Sequence, residues 1–557
     1  PKTGTVTTRL SFEEVDKKRP PSKLTHALRD APGAAALSAV HREIREHEQD
    51  NVGVESAHGV EQTAERAVRL AQHAHRSHKA EICKSTKTTD LQTEKAMQYI
   101  LNPNIALRSW QLVPYAYYIK GERNAIGLKK EEFEFLSSCD GKTELPSAEE
   151  SALARDLMGK GFIREAKNGE SLSDWNRARF CDNRYFPAMN WMITGKCNYN
   201  CIHCFNAADN APLMSEWSME EAEHLLDEAR DCGVNAFTIT GGEPMLHKNF
   251  FDILEGIYSR GMYVEELNTN GYFINRQTLL RMKALGCMPL MKISFDGIGY
   301  HDWMRNHKGA EETALHAISL CHELGFRVKV HTNMNRRNHS SMLETAKVLD
   351  SMGVDEMRII RTTEAPRWVQ NAGDACLTFE EYFDEALALW QEYAAGNHRM
   401  NLTVWQFGTL YPMHNFYTLA AVASCTGKYR DSAPVCKGNR GMIAVAANGN
   451  LYPCHQMSGY YEQHGDFLGN LKKTPLRDML SGGKYLDEVC TTIGTLREKN
   501  EKCGKCTHFE QCNGGCRAVA LAITGDKLGI DPSKCLFWEK GYAEKIAAAL
   551  PAYSTNM

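Results

Sequence analysis

The sequence contains no long apolar run. No stretch approaches the ~18 uncharged apolar residues that a bilayer span needs, and residues 1–9 lack the apolar core of a signal peptide. Neither sign of charge is in excess, since 65 Lys and Arg stand against 69 Asp and Glu, for a formal net charge of −4. A nucleic-acid-binding surface spread over the whole protein would need a basic excess. We therefore expect a cytoplasmic protein that binds neither membranes nor nucleic acid.

The sequence does contain a core-forming composition and many cysteines. Its 557 residues, 43 % of them hydrophobic, are enough for about three or four domains. Nineteen cysteines are many for a cytoplasmic chain, where structural disulfides are rare. They are clustered, within 197–204 and within 425–535, as scattered core cysteines would not be. This distribution predicts metal ligation.

Two units precede the cysteine clusters. Residues 1–84 are polar and rich in Ala and His, and we predict a helical leader, or a disordered one, without a part in the chemistry. Parts of this segment resemble proteins of conjugative elements of gut Firmicutes, which implies a leader derived from a mobile element.

The second unit is predicted over 108–175. An alternating strand at 113–119 precedes a helix at 130–138, a second helix that opens with a capping box at Ser147, and a wing strand at 162–165. This order resembles the PqqD-like domain that binds the leader of a ribosomal precursor peptide. A winged-helix linker domain is the alternative.

Residues 186–405 alternate short apolar strands with helices, and a capping box at Ser218 and Glu221 marks the first helix. Predicted strands cover 189–194, 236–240, 264–268, 292–295, 328–332, 357–360 and 402–404, and predicted helices include 219–232, 311–324 and 340–352. Repeated strand and helix units predict a parallel sheet, either open or curled into a barrel. In that architecture the chemistry lies at the C-terminal ends of the strands.

Three cysteines follow the first of these strands with the spacing C-x3-C-x2-C: Cys197, Cys201 and Cys204. A loop of this length can bind three corners of a cubane cluster and leave one iron open. Zinc would need a fourth ligand, and His203 lies between two of the cysteines. The pattern resembles the signature of radical S-adenosylmethionine (SAM) enzymes. The resemblance implies a [4Fe–4S] cluster that binds SAM at its open iron.

Further motifs agree with that family. A Gly-Gly-Glu-Pro motif follows the second strand, at Gly241, Gly242, Glu243 and Pro244. In the family this motif binds the amino group of the methionine moiety, and Glu243 can accept a hydrogen bond from an ammonium. By the same resemblance, Ser294 and Arg305 hold the ribose and the carboxylate of that moiety. His203 stands where the family carries an aromatic residue that packs on adenine.

A second set of cysteines lies in the region 420–545, at Cys436, Cys454, Cys503, Cys506, Cys512, Cys516 and Cys535. The order resembles the SPASM extension of radical enzymes that modify peptides, which implies two auxiliary [4Fe–4S] clusters. Cys503, Cys506, Cys512 and Cys535 would then hold the outer cluster, and Cys436, Cys454 and Cys516 the inner one. For the fourth inner ligand, Cys425, Cys490 and an open iron stay as alternatives. A zinc ribbon over 503–516 would leave the remaining cysteines unexplained.

Together these resemblances imply an α/β fold. A radical SAM partial (β/α)6 barrel would have a PqqD-like winged-helix domain before it and a SPASM domain after it. The implied activity is reductive cleavage of SAM to a 5′-deoxyadenosyl radical, which then oxidatively modifies a precursor peptide by a thioether or another side-chain crosslink. An external donor of the flavodoxin or ferredoxin type would supply the electron.

Two other functions stay open. A sulfatase-type maturase would oxidise Cys or Ser to formylglycine. In that family an Asp follows the Cys of a Gly-x4-Cys element as the base, and here His455 occupies that place. A non-catalytic leader-binding or electron-transfer module would not need the intact three-cysteine loop.

Overall fold

The computed structural model describes residues 96–122, 125–204, 214–364, 366–420, 430–436 and 441–555. The leader predicted over 1–84 and Cys425 therefore lie outside the described residues. Within the described part of the chain, no helix is long and apolar enough to cross a bilayer.

Two small sheets and two helices form the unit that precedes the barrel. Its strands are β1 (Ala96–Leu101), β2 (Ile105–Trp110), β3 (Val113–Ile119), β4 (Ile126–Gly127), β5 (Asp140–Pro146), β6 (Ile163–Glu165) and β7 (Arg179–Phe180). Its helices are α1 (Lys130–Ser138) and α2 (Ala152–Gly159). The sheet orders are β5-β1-β6 and β4-β3-β2-β7. This unit starts at Ala96, earlier than the predicted boundary at 108.

The predicted strand at 113–119 and helix at 130–138 have the bounds of β3 and α1. The capping box predicted at Ser147 is wrong. Ser147 starts a turn, because its carbonyl accepts the N–H groups of Glu150 (3.1 Å) and Ser151 (2.8 Å). Ser151 is the cap of α2, and its side chain accepts the N–H of Ala154.

A twelve-stranded sheet forms the centre of the molecule. Its strands are β8 (Ala188–Thr194), β9 (Ala236–Gly241), β10 (Tyr263–Thr269), β11 (Leu290–Ser294), β12 (Val328–Met334), β13 (Glu356–Arg361), β14 (Asn401–Val404), β15 (Gly408–Tyr411), β16 (Phe416–Leu419), β17 (Met442–Val445), β18 (Leu451–Tyr452) and β19 (Ser554–Thr555). Their order is β18-β17-β8-β9-β10-β11-β12-β13-β14-β15-β16-β19, so the sheet is open. Strands β8 to β14 are consecutive and parallel, which confirms the α/β fold with a partial barrel.

Helices cover the convex side of this sheet. Those of the barrel region are α3 (Met219–Asp231), α4 (Phe250–Ser259), α5 (Arg276–Ala284), α6 (His301–Arg305), α7 (Ala310–Glu323), α8 (Met342–Ser351), α9 (Pro366–Ala372) and α10 (Phe379–Ala394). The strands alternate in burial: in β12, for example, Val328 and Val330 belong to the apolar core, while Lys329 and His331 between them do not. The concave side of the barrel is therefore polar.

The small unit packs on the first strands of the barrel through buried polar contacts. The Nε of Arg108 donates to Oδ1 of Asn235 (2.7 Å), and Nε1 of Trp110 donates to the carbonyl of Cys232 (3.2 Å). Arg108 is fully buried, so this contact excludes water. The unit is thus fixed beside the barrel by specific hydrogen bonds.

The C-terminal region is joined to the same sheet. Strand β17 pairs in parallel with β8, and Nε1 of Trp217 donates to the carbonyl of Ala446 (3.1 Å). Its helices are α11 (Ser458–His464), α12 (Leu476–Met479), α13 (Lys484–Val489), α14 (Ile493–Lys499), α15 (Glu501–Lys505), α16 (Phe509–Cys512), α17 (Arg517–Thr524), α18 (Pro532–Glu539) and α19 (Tyr542–Ala549).

Candidate functional site

The cysteine loop follows β8 at the C-terminal edge of the parallel sheet. It is held there by backbone hydrogen bonds from the end of β9: the N–H of Gly242 donates to the carbonyl of Thr194 (2.8 Å), and the N–H of Glu243 donates to the carbonyl of Lys196 (2.9 Å). The Gly-Gly-Glu motif therefore fixes the start of the loop that carries Cys197.

These bonds explain why glycines stand at this point. A Cβ on Gly241 would lie 2.3 Å from the carbonyl oxygen of Thr194, and one on Gly242 would lie 2.3 Å from that of Lys196. Both distances are far below a normal contact, and the atoms met are backbone atoms that cannot turn away. The glycines allow close approach of the cysteine loop, which is a role that the motif alone did not indicate.

Glu243 is fully buried and links the ends of two strands. Its carboxylate accepts from Oγ1 of Thr269 (2.9 and 3.0 Å) and from the N–H groups of Asn270 (2.8 Å) and Met245 (3.2 Å). Burial raises the pKa of Glu243 to about 7, although the hydrogen bonds from Asn270 and Met245 lower it. Its predicted contact with the SAM ammonium stays a prediction.

Hydrogen-bond donors face two of the three thiol groups. The N–H of Tyr199 lies 3.4 Å and Nδ2 of Asn270 lies 3.9 Å from Sγ of Cys197, and Nη1 of Arg305 lies 3.8 Å from Sγ of Cys201. Donors to sulfur stabilise thiolates and tune iron–sulfur clusters. The residues present therefore fit a cluster bound through these three cysteines.

Arg305 is held by a buried ion pair. Its Nε lies 2.8 Å from Oδ2 of Asp296, and the N–H of Asp296 donates to Nδ1 of His301 (3.0 Å). Burial alone would raise the pKa of Asp296, but the charge of Arg305 holds it well below its usual range. Asp296 thus positions Arg305 beside Cys201. The sequence motifs did not indicate this pairing.

Ser294 lies half-buried at the end of β11, as expected for a residue at the ligand-binding edge. Burial lowers the pKa of His203 to about 4, so its imidazole is neutral, which suits packing on an aromatic base. The roles predicted for Ser294, Arg305 and His203 toward SAM stay predictions.

The SPASM cysteines influence one another electrostatically in two sets, and their assignment to two clusters stays a prediction. Electrostatic interactions connect Cys516 with Cys436 and Cys454, and separately connect Cys503 with Cys506 and Cys535 with Cys503 and Cys512. Among the described residues, no three ligand-type side chains converge as a single metal ion would need.

Two further residues bear on the open alternatives. Cys490 interacts with Arg184 and Asp487, and Cys425, Cys490 and an open iron stay the alternatives for the fourth inner ligand. His455, beside Cys454, has its Nε2 3.1 Å from the carbonyl of Asn190, and burial lowers its pKa to about 4. A neutral, strand-bound imidazole differs from the carboxylate base of the sulfatase-type enzymes.

Six cysteines outside the two sets are expected from their helical or loop context to be core thiols, and one of them, Cys376, is only half-buried. Those that are buried and free in the structure are Cys139, Cys181, Cys232, Cys287 and Cys321. Burial raises the pKa of the Cys287 thiol to about 12, as expected for an unreactive core residue.

Comparison with known proteins agrees with this geometry. Residues 191–349 match the radical SAM superfamily, and residues 436–512 match the SPASM iron–sulfur cluster-binding domain. The chain is 26 % identical over 352 residues to the AdoMet-dependent heme synthase of Methanosarcina barkeri, covering 61 % of this chain and 94 % of that one. It is also 26 % identical over 357 residues to the mycofactocin maturase MftC of Mycobacterium ulcerans, covering 62 % of this chain and 86 % of the relative.

A solved structure shares most of the fold. Streptococcus suis SuiB bound to its precursor peptide SuiA superposes with a TM-score of 0.56 at 13 % identity, covering 79 % of this chain and all of SuiB. The two family matches and the placement of the cysteines lead to one conclusion. The chain contains a radical SAM domain and, C-terminal to it, a SPASM domain; it is an enzyme, and its cofactors are SAM and [4Fe–4S] clusters.

Proposed function

We propose that this enzyme oxidatively modifies a ribosomal precursor peptide and forms a side-chain crosslink such as a thioether. SuiB, whose fold is shared, was solved with a precursor peptide, and MftC is named a maturase. The crosslink removes two hydrogens from the peptide. One hydrogen atom would pass to the 5′-deoxyadenosyl radical, the proton would pass to solvent, and the second electron would return to an iron–sulfur cluster of the enzyme, so that SAM is the net two-electron oxidant.

One observation in this chain carries the proposal: the small unit and the barrel share a cavity of about 790 Å³. Lys120 and Ile126 line it from the small unit, and Tyr263, Lys329 and Glu356 line it from the barrel. These barrel residues lie at the N-terminal ends of the strands, opposite the cysteine loop. The proposal is that a peptide bound by the small unit enters the barrel through this cavity.

When bound, the cluster and SAM supply the 5′-deoxyadenosyl radical. The chain's own residues position these groups. Gly241 and Gly242 fix the cysteine loop, and Asp296 holds Arg305 against Cys201. The fully buried carboxylate of Glu243 keeps the ends of β9 and β10 together, so the edge of the site is rigid.

The leader of the peptide would add as a strand to the small unit. Strand β3 is enclosed by β2 and β4, whereas β5 is an outer strand of seven residues. The carbonyl of Gln98 accepts the N–H of Ala166 on the β6 side, so in the antiparallel pair Gln98–Glu144 the backbone groups of Glu144 point outward. Glu144 therefore offers main-chain groups to a peptide.

This docking mode is tested with two variants at one position. Glu144→Pro removes the outward N–H without breaking the ladder to β1, and Glu144→Ala keeps that N–H. We expect the Pro variant to bind the peptide about 3- to 10-fold more weakly, the effect of one hydrogen bond, and the Ala variant to bind normally. Equal binding by both variants, measured by fluorescence anisotropy, would contradict strand addition at β5.

The activity is tested with anaerobically reconstituted enzyme, SAM, a reductant and each short peptide encoded beside the gene. We expect 5′-deoxyadenosine together with a peptide that has lost two hydrogens, detected by mass spectrometry. Cleavage of SAM without change in any such peptide would contradict the peptide function.

A second candidate function follows from the relatives. Several are named as tetrapyrrole enzymes, including the heme synthase above and the Fe-coproporphyrin III synthase of Methanosarcina barkeri, 23 % identical over 380 residues. Fe-coproporphyrin III is therefore included as a parallel substrate. Its conversion, with all peptides unchanged, would favour this second function.

A further inference from the structure

A row of polar side chains crosses the concave side of the barrel. Ser294 of β11 is in register with His331 of β12, His331 with Arg358 of β13, and Arg358 with Thr403 of β14. In β13, the neighbours Met357 and Ile359 are fully buried in the apolar core, so Arg358 points to the opposite, concave side. We call Ser294, His331, Arg358 and Thr403 the upper row.

The next row toward the N-terminal ends of the strands is balanced in charge. Lys329 lies 2.8 Å from Glu356, and Lys292 pairs with Glu266. Each of these cations has one carboxylate partner. We call Glu266, Lys292, Lys329 and Glu356 the lower row. Its charges are paired within the row, so none is left for a ligand.

Arg358 of the upper row differs from these residues. In the described part of the chain it has no carboxylate partner, and its Nε is buried without a hydrogen bond. Nε2 of the adjacent His331 is also buried without a partner. Both residues are half-buried, and leaving these two shielded nitrogen atoms without a hydrogen bond costs free energy, so they are expected to meet a ligand.

The nature of the ligand follows from the charges. Burial lowers the pKa of His331 well below its usual value, and the cations Lys292, Arg358 and Lys329 lower it further. The imidazole is therefore neutral and can donate one N–H, beside a guanidinium that offers several. A guanidinium and an imidazole N–H that donate side by side are complementary to a carboxylate.

The position of the row makes it accessible to the substrate. Lys329 and Glu356 line the cavity shared with the small unit, and His331 and Arg358 stand two residues further along the same strands. Ser294, in the same row, ends β11 at the edge where the cysteine loop lies. The row thus stands between the cavity and the reaction centre.

We propose that Arg358 and His331 bind a carboxylate of the peptide substrate and so select an acidic residue or a C-terminus close to the carbon that reacts. This inference rests on the proposed peptide function. It assigns to these two residues a specificity role.

The test uses three short probes with the reconstituted, SAM-loaded enzyme. Two are acetylated, amidated glycine pentapeptides with a central Glu or a central Gln, and the third is acetylated pentaglycine with a free C-terminus. Binding is measured by equilibrium dialysis. We expect the parent enzyme to bind a carboxylate probe, Glu or free-acid, at least tenfold more tightly than the Gln probe. In Arg358→Gln this ratio should fall to about one, and in His331→Phe it should fall partly.

A control and a stability measurement separate binding from folding. Arg281 is exposed on α5 and 3.6 Å from Glu255, so Arg281→Gln should keep the parent ratio. Because Arg358 has no carboxylate partner among the described residues and its Nε makes no hydrogen bond, Arg358→Gln should melt at the same or a higher temperature than the parent. A lower melting temperature would mean that Arg358 stabilises the fold through a partner, and the proposal would be wrong.

Equal binding of all three probes by the parent, or a carboxylate preference that Arg358→Gln retains, would overturn this inference and leave the peptide function standing. If no peptide probe bound and Fe-coproporphyrin III bound, both this inference and the proposed peptide function would be wrong.

Discussion

Gly242→Ala tests whether the glycine motif positions the catalytic cluster. The added Cβ would lie 2.3 Å from the carbonyl oxygen of Lys196, 2.5 Å from that of Gly195 and 2.6 Å from the carbonyl carbon of Lys196. To reach even a tight contact of 3.0 Å, the loop must move by about 0.7 Å (3.0 − 2.3).

That movement would weaken two backbone hydrogen bonds and lower the rate of SAM cleavage. The bonds from Gly242 and Glu243 to the loop, 2.8 and 2.9 Å long, would stretch or break, at a cost of about 1–3 kcal/mol for the pair. A displacement of about 1 Å can lower a rate by about 10²-fold. We therefore expect 5′-deoxyadenosine formation to fall by about 10- to 100-fold in Gly242→Ala.

The assay counts iron and 5′-deoxyadenosine in anaerobically reconstituted protein. The parent should bind about twelve irons, four in each of three clusters, and the variant about eight to twelve, since the SPASM ligands lie elsewhere. Gly482→Ala is the matched control, because its Cβ would meet no atom within 4 Å. A Gly242→Ala enzyme with parent iron content and parent rate would refute the role of this close approach.

Three further predictions follow from the site. Changing Cys197, Cys201 and Cys204 together to Ala should lower the iron content from about twelve to about eight and abolish cleavage of SAM, whereas stoichiometric zinc without iron in the anaerobic parent would contradict the cluster assignment. Asp296→Asn leaves the buried Arg305 without its charge partner, so denaturant unfolding should show a loss of about 3–5 kcal/mol, and an unchanged midpoint would mean that the ion pair adds no stability. Burial raises the pKa of Glu243 to about 7, above its ordinary 4.5, so its contribution to stability is full below about pH 4.5 and is lost as the pH rises through about 7. The melting temperature of the apoprotein should therefore fall less between pH 5 and pH 8 in Glu243→Gln than in the parent. Parallel curves of melting temperature against pH would contradict the raised pKa.

Local patterns in the sequence were sufficient to predict most of the strands and helices of the barrel. The strand predicted at 328–332 is β12 (Val328–Met334), and the capping box at Ser218 and Glu221 is present, with both reciprocal hydrogen bonds. These features depend on side-chain alternation and on bonds across three residues, which a single sequence displays directly.

Pairing between distant segments could not be predicted in this way. Strand β17 lies more than 200 residues after β8, and the sequence of neither strand indicates that the two pair. The bond between Arg108 and Asn235 likewise joins segments that are 127 residues apart. In the site, spacing identified the cysteines and the glycines, but the pairing of Arg305 with Asp296 depends on how α6 packs against the end of β11, which becomes visible only in three dimensions.

The pairing of β17 with β8 has a practical consequence for dissecting this enzyme. A truncation after residue 405 would separate the barrel from the SPASM region, but it would leave β8 as an unpaired edge strand immediately before the cysteine loop. It would also remove the carbonyl of Ala446 that pairs with Trp217. Exposed edge strands recruit other chains, so the shortened protein is expected to aggregate. The SPASM region therefore protects the edge of the first barrel strand, and the shortest fragment suitable for expression includes both the barrel and the SPASM region.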